Sequence, residues 1–225
     1  MASFTVLIPA GGSGTRLGSR TPKQFMALGG GPILAATVAH FARHRGVEAI
    51  VVAAPAAHVE RARRALRGLG RRGAVTVVPG GQTRQESVWL ALQAAPEGTD
   101  LVVVHDAVRP FITSGLIDAV VVAARRAGAA ICALPVSDTV KRVRGDEVEA
   151  TVDRAGLWTV QTPQAFRAAL LREAHEKAQR DGVVGTDDAA LVERLGHPVK
   201  VVPGLAQNLK ITTPEDLRRA RRMAI

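Results

Sequence analysis

The stretch LIPAGGSGTRLGSRTPKQF, Leu7 to Phe25, runs from an apolar segment into glycines, hydroxyls, two arginines and a lysine. Glycine serves where a backbone must bend sharply or lie against a ligand. Cations and free N–H groups serve where that ligand is anionic. The turn Pro9-Ala10-Gly11-Gly12-Ser13-Gly14-Thr15 can cradle phosphates or the edge of a base, with Arg16 and Lys23 supplying charge, one a planar fork and one a point charge. The spacing is neither that of a P-loop, which ends in Gly-Lys-Ser/Thr, nor that of the dinucleotide fingerprint. Taken alone, it could also be no more than a tight turn.

Other segments carry residues of the same kind. In VVVHDAVRPF, Asp106 ends an apolar run, with Ala107 beside it and Arg109 three residues on. A carboxylate there is costly to bury without partners. It suits a ribose hydroxyl, a metal-bound water or an acceptor hydroxyl, or a structural pair with Arg109. His105 reads as structural, because no carboxylate–His–nucleophile pattern accompanies it. PGGQTRQES places Gly80 and Gly81 after another apolar run, followed by Arg84 and Ser87, and suits a flat base or its sugar. DRAGLWTVQTPQAF offers Arg154 and Thr162, GTDDAA offers Thr186, and NLKITTPEDL sets Lys210 between Leu209 and Ile211. Lys210 points at a ligand or an acid, or lies on an edge strand facing water. Four cations at loops and strand ends, Arg16, Lys23, Arg154 and Lys210, suit a site that gathers two phosphorylated molecules. The chemistry is then positioning and charge neutralisation, as in phosphoryl transfer.

The positioning elements follow from hydrophobic patterning. Continuous apolar runs at 4–9, 49–55, 74–79, 101–106, 129–135 and 199–203 predict buried parallel strands. Helical patterns lie between them. One runs from Pro32 to about His44, and one begins at Thr83, which is spaced from Glu86 as a capping box. Another ends at Gly128, one covers PQAFRAALLREAHEKAQRDG (163–182), and one starts at Thr186 as N-cap. The last has Thr213 as N-cap and Pro214 at N1. Alternating β and α elements predict a three-layer α/β/α sandwich around a mostly parallel sheet. In such sheets ligands bind beyond the carboxyl ends of the strands. The segment 136–154 breaks the pattern. It alternates polar and apolar residues around Arg144-Gly145-Asp146 and carries nine charges in nineteen residues, which predicts a protruding β-hairpin. Such an arm is marginal alone and should pack on a symmetric partner chain.

Composition excludes several functions. The 225 residues are 47% hydrophobic, enough for one sizeable core, so a single domain over 1–225 with an arm at about 136–157 is expected. One cysteine, Cys132, excludes an internal disulfide and a multi-cysteine zinc site, and reads as a buried apolar residue. No apolar run suits a membrane helix and the N-terminal residues lack the pattern of a signal peptide, so a cytoplasmic protein is expected. The net charge of +10 is concentrated in residues 1–80, with 11 Lys/Arg against 2 Asp/Glu. Much of that excess sits on the polar faces of HVERARRALRGLGRR, with no aromatics interleaved for base stacking. Nucleic acid is therefore not the expected partner, and the charge better serves to steer a polyanionic substrate.

PAGGSGTRLGSRTPKQF, VHDAVRPF, DRAGLWTVQTPQAF, GTDDAA and NLKITTPEDL occur in this order and span almost the whole chain. Jointly they closely resemble the 2-C-methyl-D-erythritol 4-phosphate cytidylyltransferases of the non-mevalonate isoprenoid pathway. The resemblance implies a Rossmann-like nucleotidyltransferase and a homodimer with embracing β-arms. It implies that CTP and 2-C-methyl-D-erythritol 4-phosphate react, with Mg²⁺, to give 4-diphosphocytidyl-2-C-methyl-D-erythritol and pyrophosphate. It places Arg16 and Lys23 on the triphosphate, and Gly80, Gly81 and Ser87 on the cytidine. It gives Asp106 the role of the aspartate in the His-Asp motif, as a possible metal ligand, directly or through water. Thr139 and Arg154 of the arm would serve the partner's acceptor site, and Arg109, Thr162, Thr186 and Lys210 the remaining acceptor and phosphate positions. Val108 and Gly11 stand where the family usually has alanine. Val108 with RPFIT, and the later NLKITT, is also similar to ribitol-5-phosphate cytidylyltransferases, whereas VDRAGLW favours the methylerythritol enzymes. The alternatives are therefore a cytidylyltransferase for ribitol 5-phosphate or another polyol phosphate, and a non-catalytic nucleotide- or nucleic-acid-binding protein.

Overall fold

A computed structural model describes residues 3–11, 21–70 and 74–224. Its centre is a seven-stranded sheet of β1 (Phe4–Pro9), β4 (Val47–Ala54), β5 (Ala74–Pro79), β6 (Leu101–Val104), β7 (Ala129–Pro135), β10 (Trp158–Arg167) and β11 (Lys200–Pro203), in the order β11-β7-β10-β6-β1-β4-β5. β1 pairs in parallel with β4 and β6, β4 with β5, and β7 with β11. Six of the seven form where apolar runs predict strands; β6 is apolar at every position because it is covered on both faces, whereas β11, at the sheet edge, is mostly exposed rather than buried as expected.

Side-chain alternation divides the core. Val6 and Ile8 of β1 point to one face with Ile50, Val52 and Val103, and there meet Leu34, Val38 and Phe41 of α1 (Ile33–Ala42). Ala62 of α2 (Val59–Ala65) and Ile117 and Val120 of α4 (Ser114–Ala127) complete that layer. Leu7, Val51, Val102 and Val104 point to the other face. There they meet Val88 and Leu92 of α3 (Arg84–Gln93), Leu171 of α5 (Ala168–Arg180) and Leu191 of α6 (Asp188–Glu193). The three-layer α/β/α expectation thus holds. Cys132 is fully buried, and burial pushes its thiol up to about 12, as suits an inert apolar filler.

Two boundaries differ from expectation. The segment 163–167, expected to begin a helix, is the end of β10, which runs antiparallel between β6 and β7. Its register shifts between Gln161 and Gln164, so Pro163 sits in an irregularity where no ladder donor is required. The helix expected to begin with Thr186 as N-cap is capped instead by Asp187, whose carboxylate accepts from Ala190 N at 2.9 Å. A carboxylate there also faces the positive end of the helix. The capping boxes at Thr83–Glu86 and Thr213–Asp216 are both present, the second opening α7 (Pro214–Met223).

The predicted arm is β8 (Val140–Arg144) and β9 (Glu147–Val152), a separate two-stranded ladder turning at Gly145 with φ +65°. Val143 and Val148 on it are 54% and 62% exposed, so these two side chains find little cover among the described residues of this chain. A further short ladder joins β2 (Ala27–Leu28) to β3 (Gly31–Pro32). No helix among the described residues is long and apolar enough to cross a membrane.

Candidate active site

The parallel strands deliver their carboxyl ends to one edge of the sheet. β10, running the other way, brings Gln161–Gln164 to that same edge. Two pockets lie there. The first is lined by Pro9, Ala10 and Gly11 after β1, by Lys23 and Gln24, by Gln82, Thr83 and Arg84 at the start of α3, by Asp106, Ala107 and Val108, and by Lys210. Thr162, Gln164, Thr186 and Asp187 line the second, together with Arg109. Arg84, Asp106 and Lys210 belong to both.

Asp106 is the electrostatic centre. One carboxylate oxygen accepts from Arg84 Nε at 3.1 Å, and the other from Lys210 Nζ at 2.8 Å and Arg109 Nε at 3.4 Å. Burial alone would raise its pKa. Arg84, Lys210 and Arg109 override that and hold the carboxyl far below the usual carboxylate range. The structure thus contains both the Asp106–Arg109 pair and an acid partner for Lys210. Lys210 is placed by its neighbours: Ile211 donates its backbone N–H to the Val108 carbonyl at 2.9 Å, and both side chains join an apolar cluster with Leu28, Ile33 and Ala220. The larger side chain at 108 is absorbed there.

Behind Asp106 lies a directed hydrogen-bond chain. His105 Nε2 lies 3.1 Å from the Arg109 carbonyl, which can only accept, so Nε2 carries the hydrogen. Neutral Nδ1 then accepts from the Thr162 hydroxyl at 3.1 Å, and that oxygen accepts from Asp106 N at 3.0 Å. Thr162 lines the second pocket, but its hydroxyl proton is committed inward. Complete burial pushes His105 down to about 4. Unfolded histidine titrates near 6.5, so between these values the unfolded chain binds more protons. The His105 contribution is complete above pH 6.5 and is lost as pH falls toward 4. Stability should fall by about 2 kcal/mol between pH 7.5 and pH 5, measured by urea unfolding, with a shallower slope in His105→Gln. Asp106 is depressed, so its contribution is complete above the ordinary carboxylate range and is lost progressively as pH falls through that range toward the folded value.

The glycine sites interlock. A Cβ on Gly11 would lie 2.7 Å from Ser87 Oγ, and one on Gly80 would lie 2.9 Å from the same oxygen. The Ser87 hydroxyl donates to the Thr83 carbonyl at 2.9 Å and fills the space an alanine at 11 would need. A Cβ on Gly81 would fall 2.2 Å from Glu86 Cβ. Glu86 closes the capping box by accepting from Thr83 N at 3.4 Å and also accepts from Gln82 N at 2.7 Å, so Gly81→Ala should cost about 2 kcal/mol in urea unfolding.

Of the remaining expected residues, Gly12, Gly14, Thr15 and Arg16 lie outside the described residues. Thr139 and Arg154 are exposed on or beside the arm and line neither pocket; Arg154 donates to the Ser137 carbonyl. Sequence reading missed Gln24, whose buried amide donates to the Ala10 carbonyl at 2.6 Å and holds the backbone at the end of β1. Its signal was its place beside Lys23. It also missed Gln164, Asp187, Asp188 and His175.

Backbone at the end of β1, a lysine lining the same pocket and an ion-paired carboxylate at the carboxyl edge of one sheet with helices on both faces suit a Rossmann-like α/β nucleotidyltransferase. The family model for 2-C-methyl-D-erythritol 4-phosphate cytidylyltransferase (IspD) matches residues 4–224. The enzyme of that name from Symbiobacterium thermophilum is 50% identical over 218 residues, covering 96% of this chain and 90% of its own. That of Salinibacter ruber is 47% identical over 213 residues, covering 95% and 89%. The crystal structure of the Thermus thermophilus enzyme superposes with a TM-score of 0.84 at 41% identity, covering 100% of this chain and 99% of that one. The chain belongs to the 2-C-methyl-D-erythritol 4-phosphate cytidylyltransferase family.

Proposed function

We propose that this chain transfers the cytidylyl group of CTP to 2-C-methyl-D-erythritol 4-phosphate, releasing pyrophosphate, as a cytoplasmic homodimer with one domain and one arm per subunit. The carrying observation is that two pockets share Arg84, Asp106 and Lys210. Nucleotide in the first and acceptor phosphate in the second would meet at those three side chains.

An acceptor phosphate oxygen forms a bond to the α-phosphorus while the bond to the β-phosphate bridging oxygen breaks, and pyrophosphate departs with that electron pair. A phosphate dianion is already a nucleophile, so no side-chain base is required. Residues 9–11 offer backbone to the nucleotide, and Lys23 and Arg16 offset triphosphate charge. Arg84 and Lys210 face the α-phosphate from the seam, while Arg109 and Thr186 serve the acceptor side. Ser87, Gly80 and Gly81 shape the floor for the cytidine.

Mg²⁺ fits as a cation carried in with the triphosphate. Among the described residues Asp106 is the one carboxylate lining the first pocket, and no group of three His, Cys, Asp or Glu could hold a metal. One carboxylate completed by substrate phosphates is the usual Mg²⁺ pattern. Asp106 would hold it, and the ion would offset charge on the leaving pyrophosphate.

Thr139 and Arg154 are assigned to the acceptor site of a second subunit, consistent with their absence from both pockets of their own chain and with the uncovered apolar face of the arm. The test is pyrophosphate release with CTP and Mg²⁺, offering 2-C-methyl-D-erythritol 4-phosphate and ribitol 5-phosphate separately. Release with the first alone is expected. Release with the second alone would overturn the acceptor, and release with neither would overturn the activity.

A further inference from the structure

Arg84 is gripped from both ends. Its Nε donates to Asp106, and its Nη1 donates to Asp188 Oδ2 at 2.7 Å. The second oxygen of Asp188 lies 3.2 Å from His175 Nε2. Asp188 and His175 are 1% and 0% exposed and line neither pocket. The Trp89 ring stacks on the imidazole, centroids 5.9 Å apart and planes 17° apart. Among the described residues His175 Nδ1 is buried without a partner, so the ring is aimed by its bond to Asp188 and by that stack. Residues of α5 and α6 therefore form one chain of contacts that ends on the guanidinium of Arg84 in α3.

A buried carboxylate is costly unless it is paired, and this pair includes a residue of the seam between the pockets. Guanidinium is a planar fork, and two carboxylates on different edges of it remove its rotation as one could not. We infer that Asp188 and His175 are positioning residues for the reaction, a buried buttress that presents Arg84 to the transferring phosphate. The inference rests on the cytidylyltransferase reading.

A double-mutant cycle separates positioning from simple support of the fold. Asp188→Asn should lower kcat/KM by about tenfold or more, and should lower it no further in an Arg84→Met background. His175→Phe, which keeps the stack but loses the donor, should lower kcat/KM by about threefold, with His175→Gln restoring it. A second readout does not depend on turnover. The Arg84 Nε–H signal in nitrogen-15 NMR spectra, identified by its loss in Arg84→Met, should exchange with water at least about tenfold faster in Asp188→Asn. An unchanged Arg84 signal, or equal Asp188→Asn losses in both backgrounds, would overturn the inference. Should Asp188→Asn not fold, His175→Phe carries both readouts. A wild-type protein inactive with either acceptor defeats the functional reading instead, and the NMR comparison still decides whether Asp188 holds Arg84.

Discussion

Asp106→Asn should lower kcat/KM by about 100- to 1000-fold while leaving a folded protein. The substitution keeps the shape of the side chain and removes the charge on which Arg84, Arg109 and Lys210 converge. A charge-assisted hydrogen bond contributes about 1.5–3 kcal/mol, and misaligning two of the three cations at the reacting phosphate accounts for the loss. Stability suffers less, because each cation keeps a second recourse. Arg84 keeps Asp188, Arg109 keeps the Asn208 carbonyl at 2.8 Å, and Lys210 is 40% exposed and can turn to water. The cost should be about 3 kcal/mol, at the lower end of the range for breaking a buried pair. Pyrophosphate release and urea unfolding measure the two effects. An Asn variant with wild-type kcat/KM would remove Asp106 from the mechanism.

Arg154→Ala and Lys23→Ala should each lower kcat/KM by about tenfold to a hundredfold, and co-expression should restore about a quarter of wild-type activity. Each variant spoils a different component: Lys23 lines its own chain's first pocket, whereas Arg154 sits beside the arm and lines neither pocket. If arms are exchanged across a two-fold axis, half of the dimers formed at random are mixed. In each of those, one site receives an intact Lys23 from one chain and an intact Arg154 from the other. Co-expression that yields no more than the mean of the parents would show that the arm serves its own chain, and would sink the exchanged-arm dimer.

Local patterning carried most of the fold. Buried strands such as Leu101–Val104 are apolar throughout, and helix starts such as Thr83 and Thr213 carry their own capping partner within three residues. β10 escaped because Pro163 interrupts it and because the helical pattern of α5 runs on directly from it. At the site, Asp106 and Lys210 were legible because a charged residue among apolar neighbours needs a partner. The Asp106–Arg109 pair, three residues apart, was legible too, but the pairing of Lys210 with Asp106 was not, since the fold alone joins them. Asp188 and His175 were beyond reach for the same reason: the bonds of Asp188 to Arg84 and to His175 close only when three helices pack.

The pairing of Lys210 with Asp106 gives the cleft a built-in counter-ion. On the proposed function, an arriving α-phosphate competes for the ammonium with a carboxylate 2.8 Å away, and the departing cytidylyl product gives the ammonium back to that carboxylate. The lysine therefore changes hands between a tethered anion and a diffusible one. Net affinity is the difference between two ion pairs rather than the full strength of either. On that proposal, tight product binding, the usual hazard of a site rich in cations, is relieved by a group that never leaves.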